Sequence, residues 1–175
     1  MEITILIFLL GGLFLGWSLG ANDAANVFGT AVGTRMVSFT SAAIICSVFV
    51  ILGAIISGAG TTETLGKLGA INALPGAFAA CVAAGISVYL MTKVGLPVST
   101  TQAIVGAIVG WNLYTGSSTN LQVLITILGT WILCPIIAGV IAMGLFTFTK
   151  RVILNRKLHI LRLDAYTRTA LLLAG

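Results

Sequence analysis

A chain of 175 residues with 58% hydrophobic and only 7% charged residues does not fit an ordinary soluble domain, in which about a quarter of the residues are charged. With a mean hydropathy of +1.13, such a chain could not cover a water-exposed surface with polar groups. A bilayer removes this constraint, because side chains that face lipid can be apolar. The composition therefore predicts an all-α, polytopic transmembrane helix bundle, multi-pass in a cell membrane (inner or plasma).

The net charge of +5 is concentrated near the C-terminus. We interpret this basic cluster as a cytoplasmic or interfacial segment that follows the positive-inside bias, with anionic lipid headgroups as counterions. Nucleic-acid binding, the other interpretation of a basic run, is disfavoured because no soluble domain carries the charges. The cluster consists of Lys150, Arg151, Arg156, Lys157, Arg162 and Arg168.

The first apolar segment covers residues 3–20 and runs directly into a polar stretch at 21–26. Gly12, Gly16 and Gly20 are four residues apart, a spacing that gives a helix a smooth stripe for a close neighbour. The polar stretch predicts that this first span is broken or kinked near Asn22.

Two further apolar runs follow, at 37–57 and 70–92, and a Gly- and Thr-rich loop is expected between them at 58–69. After Lys93 the sequence Val-Gly-Leu-Pro-Val-Ser-Thr-Thr-Gln predicts a helix break followed by a new helix start, because proline disfavours helix in the residue before it and Ser and Thr are good N-caps. The bundle is therefore expected to contain discontinuous helices.

Apolar residues resume at 103–111, a polar loop is expected at 112–120, and the longest span covers 121–148 with a kink at Pro135. A basic, partly amphipathic segment comes next and suits a membrane interface. The predicted organisation is a membrane domain at 1–149, the basic segment at 150–168, and the start of a further transmembrane helix at 169–175.

Two orientations stay open. If 97–111 crosses the membrane fully, Arg35, Lys93 and the basic cluster lie on one side, and the positive-inside bias puts the N-terminus outside. If 97–111 is re-entrant, the cluster lies opposite Arg35 and Lys93. The charges favour the first arrangement.

Asp23 is the most informative residue of the chain. An ionised carboxylate within the membrane is costly without a partner, and no Lys or Arg lies within the spans, so Asp23 must be protonated, solvated or bound to a cation. Asn22 and Asn26 are close to it on a helix, and oxygen ligands at a helix break suit Na⁺. The competing interpretation is that Asn22 and Asp23 only cap a helix.

The second break has the features of an oxyanion site. The first N–H groups of a helix have no internal partners, and they attract small anions together with the helix dipole. Hydroxyl groups of Ser99, Thr100 and Thr101 would add donors, although plain capping accounts for them equally well when the motif is taken alone. A cation site beside an oxyanion site would couple the two occupancies, which is a physical basis for symport.

The first motif, Gly-Ala-Asn-Asp-Ala-Ala-Asn at 20–26 with Phe-Gly-Thr-Ala-Val-Gly at 28–33, resembles a signature of the inorganic phosphate transporter (PiT) family. Pro-Val-Ser-Thr-Thr-Gln at 97–102 resembles its second signature. The similarity covers nearly the whole chain and implies a secondary active transporter that takes up phosphate by symport with Na⁺ or H⁺. Family members have two inverted repeats that each carry both motifs, so this chain resembles the N-terminal repeat, one half of an inverted-repeat transporter.

Carried over by position, the resemblance implies that Asn22, Asp23 and Asn26 bind sodium, with Asp23 also near phosphate. It implies no cofactor beyond Na⁺ as the coupling ion. Vertebrate members carry an acidic residue at a position that aligns with Val50, so the roles given to that residue do not transfer. The expected partners are inorganic phosphate, sodium, the lipid bilayer, a second transporter repeat and a second copy in a homodimer, without nucleic acid. The residues expected to hold phosphate are Asp23, Ser99, Thr100, Thr101 and Gln102.

Several alternatives remain at this point. They are an H⁺-coupled phosphate or metal–phosphate symporter, a cation transporter or channel that uses Asp23, a carrier of another anion such as sulfate, and a membrane subunit without transport activity. We do not expect an enzyme, because the only histidine, His159, has no evident nucleophile or metal partner.

Overall fold

The computed structural model describes residues 2–69, 74–151 and 160–174, and all regular structure in these ranges is helical. This confirms the predicted all-α class. Four of the described helices, α1, α2, α3 and α5, are long and apolar enough to cross a membrane. The helices are α1 (Glu2–Gly33), α2 (Phe39–Leu68), α3 (Leu74–Lys93), α4 (Thr100–Thr115), α5 (Leu121–Thr149) and α6 (Ile160–Ala174).

The first helix is continuous through Asn22, so the predicted break in the first span is wrong. The polar residues Asn22 and Asp23 do not interrupt the helix, because they find hydrogen-bond partners outside it. A polar side chain in a membrane helix is tolerated when a neighbouring element bonds to it.

The second helix extends to Leu68, so the predicted loop at 58–69 is also wrong for all but its last residue. Hydroxyl groups of Thr62 and Thr64 donate to the carbonyl oxygens of Gly58 and Gly60, each at 3.0 Å, one helical turn back. Lys67 Nζ pairs with Glu63 Oε1 at 2.6 Å across one turn. Local pairs of this kind keep a Gly- and Thr-rich segment helical.

The helix break after Lys93 is confirmed. Gly95 adopts a left-handed conformation with a φ of 80°, and the N–H groups of Gly95 and Leu96 bond to the carbonyl oxygens of Thr92 and Met91 at 3.0 and 2.9 Å. This is the Schellman pattern that closes a helix at a glycine. We call residues 94–99 the hairpin tip.

The fourth helix begins directly after the tip. Its N-cap is Ser99, whose Oγ accepts a hydrogen bond from the N–H of Gln102 at 3.3 Å. A serine in this position satisfies one of the N–H groups that the first turn leaves without a helical partner. The predicted helix start at this motif is therefore confirmed.

Helices α1 and α3 run parallel and pack along their lengths. The rings of Phe8 and Phe78 are 5.7 Å apart, and those of Trp17 and Tyr89 are also 5.7 Å apart. Gly85 lets the two backbones approach, because a Cβ there would lie 2.6 Å from the Phe14 ring. By contrast, the stripe of glycines four residues apart on α1 faces open space within this chain.

Helix α4 returns antiparallel to α3 and ends beside its first turn, where Trp111 packs against Gly76. The N–H of Asn120 bonds to the carbonyl oxygen of Leu68 at 3.0 Å, so α5 starts at this same end of the bundle. At the other end, Arg168 Nη1 donates to the carbonyl oxygen of Met36 at 2.8 Å. The end of α2 and the start of α5 therefore lie at one end of the bundle, and Met36 and Arg168 lie at the other.

Helix α6 continues across position 168, where the sequence predicted a boundary between a basic segment and a further span. Most of the basic stretch between α5 and α6, with Arg156, Lys157 and His159, lies outside the described residues. Pro135 lies inside α5, which has no buried residue.

Candidate functional site

The hairpin tip lies against the middle of α1, and Asn22 makes the contact. This residue is only 3% exposed. Its Nδ2 donates to the carbonyl oxygen of Val98 at 2.6 Å and to Asp23 Oδ1 at 2.7 Å. Its Oδ1 accepts from the N–H of Val98 at 3.3 Å and from Thr92 Oγ1 at 3.4 Å. Both polar atoms of the amide are therefore engaged.

The Asp23 carboxylate lies half-buried between α1 and the start of α4. Thr100 is 7% exposed, and its Oγ1 donates to Asp23 Oδ1 at 3.5 Å, the outer limit of hydrogen-bond distance. Among the described residues, no Lys or Arg forms an ion pair with Asp23. The carboxylate thus has polar neighbours but no cationic side chain to balance its charge.

Asn26 lies one helical turn beyond Asn22 on the same side of α1. Its side chain is exposed, and no described residue hydrogen-bonds to it. The structure thus brings Asn22, Asp23 and Thr100 together and leaves the Asn26 amide with both of its polar atoms available.

The first turn of α4 presents donors beside this carboxylate. Thr101 and Gln102 have exposed side chains that form no hydrogen bond with any other described side chain. The backbone N–H groups of Thr100 and Thr101 also find no acceptor within the described ranges. Ser99 differs, because its Oγ already caps the helix. A helix start with unoccupied N–H groups and a hydroxyl can hold an oxyanion.

A groove of about 870 Å³ lies between α1 and α2, and Asp23 lines it. The α1 wall is built from small residues that include Gly16 and Gly20, so two glycines of the predicted stripe face this groove. Val50, on α2, lines the same groove. The carboxylate therefore lies at the boundary between the groove and the hairpin tip.

Two contributors to this site were not singled out from the sequence. The backbone of Val98 supplies a donor and an acceptor to Asn22, and no residue type signals such a role. The Thr92 hydroxyl donates to the same amide. The sequence feature that could have indicated this role is the position of Thr92 at the end of an apolar run, just before a lysine.

The fold and site define a multi-pass helical membrane protein with a buried polar contact at a helix break. Residues 19–172 match the model of the phosphate transporter family. The chain belongs to this family.

Individual proteins that resemble this chain carry names that agree with the family. The chain is 37% identical over 164 residues to the "Putative phosphate permease" of Pyrococcus furiosus, covering 87% of this chain and 40% of that protein. It is 32% identical over 156 residues to the "Sodium-dependent phosphate transporter" of Plasmodium falciparum, covering 82% of this chain and 23% of that protein. A solved structure, "The sodium-dependent phosphate transporter", matches with a TM-score of 0.77 and 30% identity over 90% of this chain and 41% of its own. The chain thus spans less than half the length of these relatives.

Proposed function

We propose that this chain is one repeat of a Na⁺-coupled symporter of inorganic phosphate, with phosphate bound at the start of α4 and Na⁺ bound at Asp23. The observation that carries the proposal is the 3.5 Å contact between Thr100 Oγ1 and Asp23 Oδ1, because it joins the first turn of α4 to a carboxylate that has no basic partner among the described residues. Membership of the phosphate transporter family and the names of the relatives support phosphate as the anion and sodium as the cation.

Electrostatics favours a bound cation at this site, because phosphate and an ionised Asp23 carry charges of the same sign. Two like unit charges about 4 Å apart repel by about 4 kcal/mol at an effective dielectric constant of about 20. An oxyanion at Thr101 and an ionised Asp23 therefore repel each other unless a cation binds close to both, whereas H⁺ coupling would neutralise Asp23 by protonation. Occupancy of the cation site then lowers the cost of phosphate binding, and linkage requires the reverse as well.

The cation ligands in this proposal come from α1. Asp23 offers a carboxylate without a basic partner, and Asn26 offers an unoccupied amide oxygen on the next turn. Oxygen atoms of this kind are the ligands that hard cations prefer. The sequence-based assignment of Asn22 as a third ligand stays a prediction, and its amide oxygen already has two donors.

The site is completed from outside this chain in the proposal. Asp23 borders the groove between α1 and α2, whose α1 wall has glycines with no neighbour within 4 Å of an added Cβ. Because the chain spans 41% of the matched solved structure, we assign this groove to a second repeat of the transporter. Small residues on α1 would let the backbone of that second repeat approach α1 closely.

The experiment is uptake of labelled phosphate by the complete transporter in proteoliposomes. We expect uptake to require an inward Na⁺ gradient, and we expect Asp23→Asn to abolish coupled uptake while membrane insertion stays normal. The matched control is Asp164→Asn, because Asp164 lies on α6 in an exposed pair with Arg168, away from the site. That variant should transport normally.

Other outcomes would identify the alternatives. Normal Na⁺-dependent uptake by Asp23→Asn would contradict the cation assignment. Uptake driven by a proton gradient without Na⁺ would indicate H⁺ coupling, and Na⁺ flux that is independent of phosphate would indicate a cation transporter. Full competition by sulfate would show that phosphate is not the preferred anion.

The anion side is tested at Thr101. The Thr101→Val substitution keeps the shape and removes one hydroxyl donor, so the KM for phosphate should rise by the equivalent of about 1 kcal/mol, the net contribution of one hydrogen bond. Thr115→Val at the other end of α4 is the control, since the Thr115 hydroxyl bonds within its own helix. Ser99→Ala is a less specific test because it also removes the helix cap. An unchanged KM in Thr101→Val would count against this site.

A further inference from the structure

One side chain, Asn22, connects α1 to the hairpin tip through both polar atoms of its amide. We propose that Asn22 is a positioning residue that clamps the tip to α1 and so holds the start of α4 beside Asp23. The proposal deepens the proposed function, because the groups held in place are those assigned to phosphate. Its geometry, however, requires neither ligand to be bound.

The clamp makes two bonds to one residue. Nδ2 of Asn22 donates to the carbonyl oxygen of Val98 at 2.6 Å, and Oδ1 accepts from the N–H of Val98 at 3.3 Å. One planar side-chain amide thus bonds to both the N–H and the carbonyl oxygen of the same residue. This pair of bonds fixes the orientation of Val98 as well as its position. Because Val98 directly precedes the N-cap Ser99, this contact sets where α4 begins.

The same amide also orients the carboxylate. Nδ2 donates to Asp23 Oδ1 at 2.7 Å, and that oxygen accepts from the Thr100 hydroxyl. Asn22 is 3% exposed, so water competes poorly for these bonds. The tip, the carboxylate and the first turn of α4 are therefore tied together through one buried side chain.

The hydrogen bonds of Asn22 distinguish a positioning role from the role of a cation ligand. The oxygen that would coordinate a cation already accepts hydrogen bonds from the Val98 N–H and the Thr92 hydroxyl, and an amide oxygen has two lone pairs. Asn26 is the contrast, because its side chain has no hydrogen-bond partner among the described residues. Asn22 acts through the tip, whereas Asn26 is available to touch an ion.

The test measures the tip without any ligand. Hydrogen–deuterium exchange of the backbone amides at 94–99 is followed in the complete transporter, in detergent, without Na⁺ and phosphate. We expect Asn22→Ala to speed exchange in this segment by about tenfold or more, because it removes two hydrogen bonds from Val98. Asn26→Ala is the matched control and should leave exchange at the tip unchanged.

A pure ligand role makes the opposite prediction. If Asn22 only coordinates a cation, Asn22→Ala does not change exchange at 94–99 in the ligand-free protein, and that result would overturn the proposal. If Asn22→Ala fails to insert, Asn22→Ser retains a shorter donor and acceptor and should give an intermediate increase. Exchange equal to that of the unmodified protein in Asn22→Ser would also contradict the clamp.

Transport kinetics provide a second readout. Loss of the clamp should raise the KM for phosphate and the half-saturating Na⁺ concentration together, since the start of α4 depends on the tip and the same amide orients the Asp23 carboxylate. A change in the Na⁺ value alone would assign Asn22 to the cation and overturn the proposal. The exchange result does not depend on transport, so a failure of the proposed function and a failure of the clamp are distinguishable.

Discussion

Two buried asparagines lie at opposite ends of the hairpin formed by α3 and α4, and their surroundings differ. Asn22 at the tip is 3% exposed and has partners for both of its amide atoms. Asn112 at the base is 0% exposed; its Nδ2 donates to Thr119 Oγ1 at 3.0 Å, but its Oδ1 has no partner among the described residues. Equal burial therefore does not imply an equal role.

The difference shows where polarity supports structure and where it costs stability. A buried acceptor without a partner is unfavourable by about 1–3 kcal/mol, and within the described residues Asn112 Oδ1 is such an acceptor. Gly69 packs directly against this amide, and a Cβ at Gly69 would collide with it. The tip has no such defect, because the amide of Asn22 and the backbone of Val98 satisfy each other.

The largest expected effect comes from replacing each asparagine with leucine, which has a similar shape. Asn22→Leu leaves the N–H and the carbonyl of half-buried Val98 unpaired, and it should lower the free energy of unfolding by about 2–4 kcal/mol, since each unpaired group costs about 1–3 kcal/mol. Asn112→Leu removes an unsatisfied oxygen and one bond to Thr119, so its net effect should stay within about 1 kcal/mol. Unfolding of the complete transporter in mixed detergent micelles measures both.

Equal destabilisation by the two substitutions would contradict this contrast. An Asn112→Leu variant that is strongly destabilised would show that the Asn112 oxygen has a partner in the complete protein. The same measurement on Asn26→Leu serves as the control for adding an apolar side chain to α1, because Asn26 is exposed and has no side-chain bond to the described residues.

A middle-sized effect is expected at Gly69. Gly69→Ala places a methyl group against the Asn112 amide, and overpacking of this kind costs about 1–3 kcal/mol. Gly66→Ala is the control, since a Cβ there meets nothing within 4 Å. If the collision is the cause, Asn112→Ala should restore stability to Gly69→Ala, as a double-mutant cycle would show. Additive losses in the double variant would exclude this contact as the cause.

The sequence predicted the parts of the fold that local chemistry controls. Composition identified a helical membrane protein, and the Pro97 and Ser99 signals located the hairpin tip. The continuity of α1 could not be predicted, because the partner that satisfies Asn22 lies 76 residues away in the chain. The helix at 58–68 differs from the predicted loop for a local reason, because threonine hydroxyls bond to the preceding turn and stabilise a helix in a glycine-rich segment.

The candidate site was predictable in outline and not in its division of roles. Residue types pointed to Asn22, Asp23, Asn26 and the hydroxyls at the start of α4. The sequence gives no means of telling that one asparagine is engaged by a backbone and the other is exposed. Their spacing places Asn22 and Asn26 on one side of a helix. The hairpin tip packs against Asn22 and does not reach Asn26, so Asn22 is buried and Asn26 is exposed.

The smallest expected effect compares two glycines with the same conformation. Gly95 at the tip and Gly116 at the base have φ values of 80° and 68°, and both close a helix by the Schellman pattern. A non-glycine residue in this conformation costs about 1–2 kcal/mol, so Gly95→Ala and Gly116→Ala should lower thermal stability in detergent to a similar degree. Only Gly95→Ala should also raise the KM for phosphate, because it alone shifts the chain that leads to Val98 and Ser99. Equal effects of both substitutions on transport would show that phosphate binding depends on the stability of the whole hairpin and not on the placement of its tip.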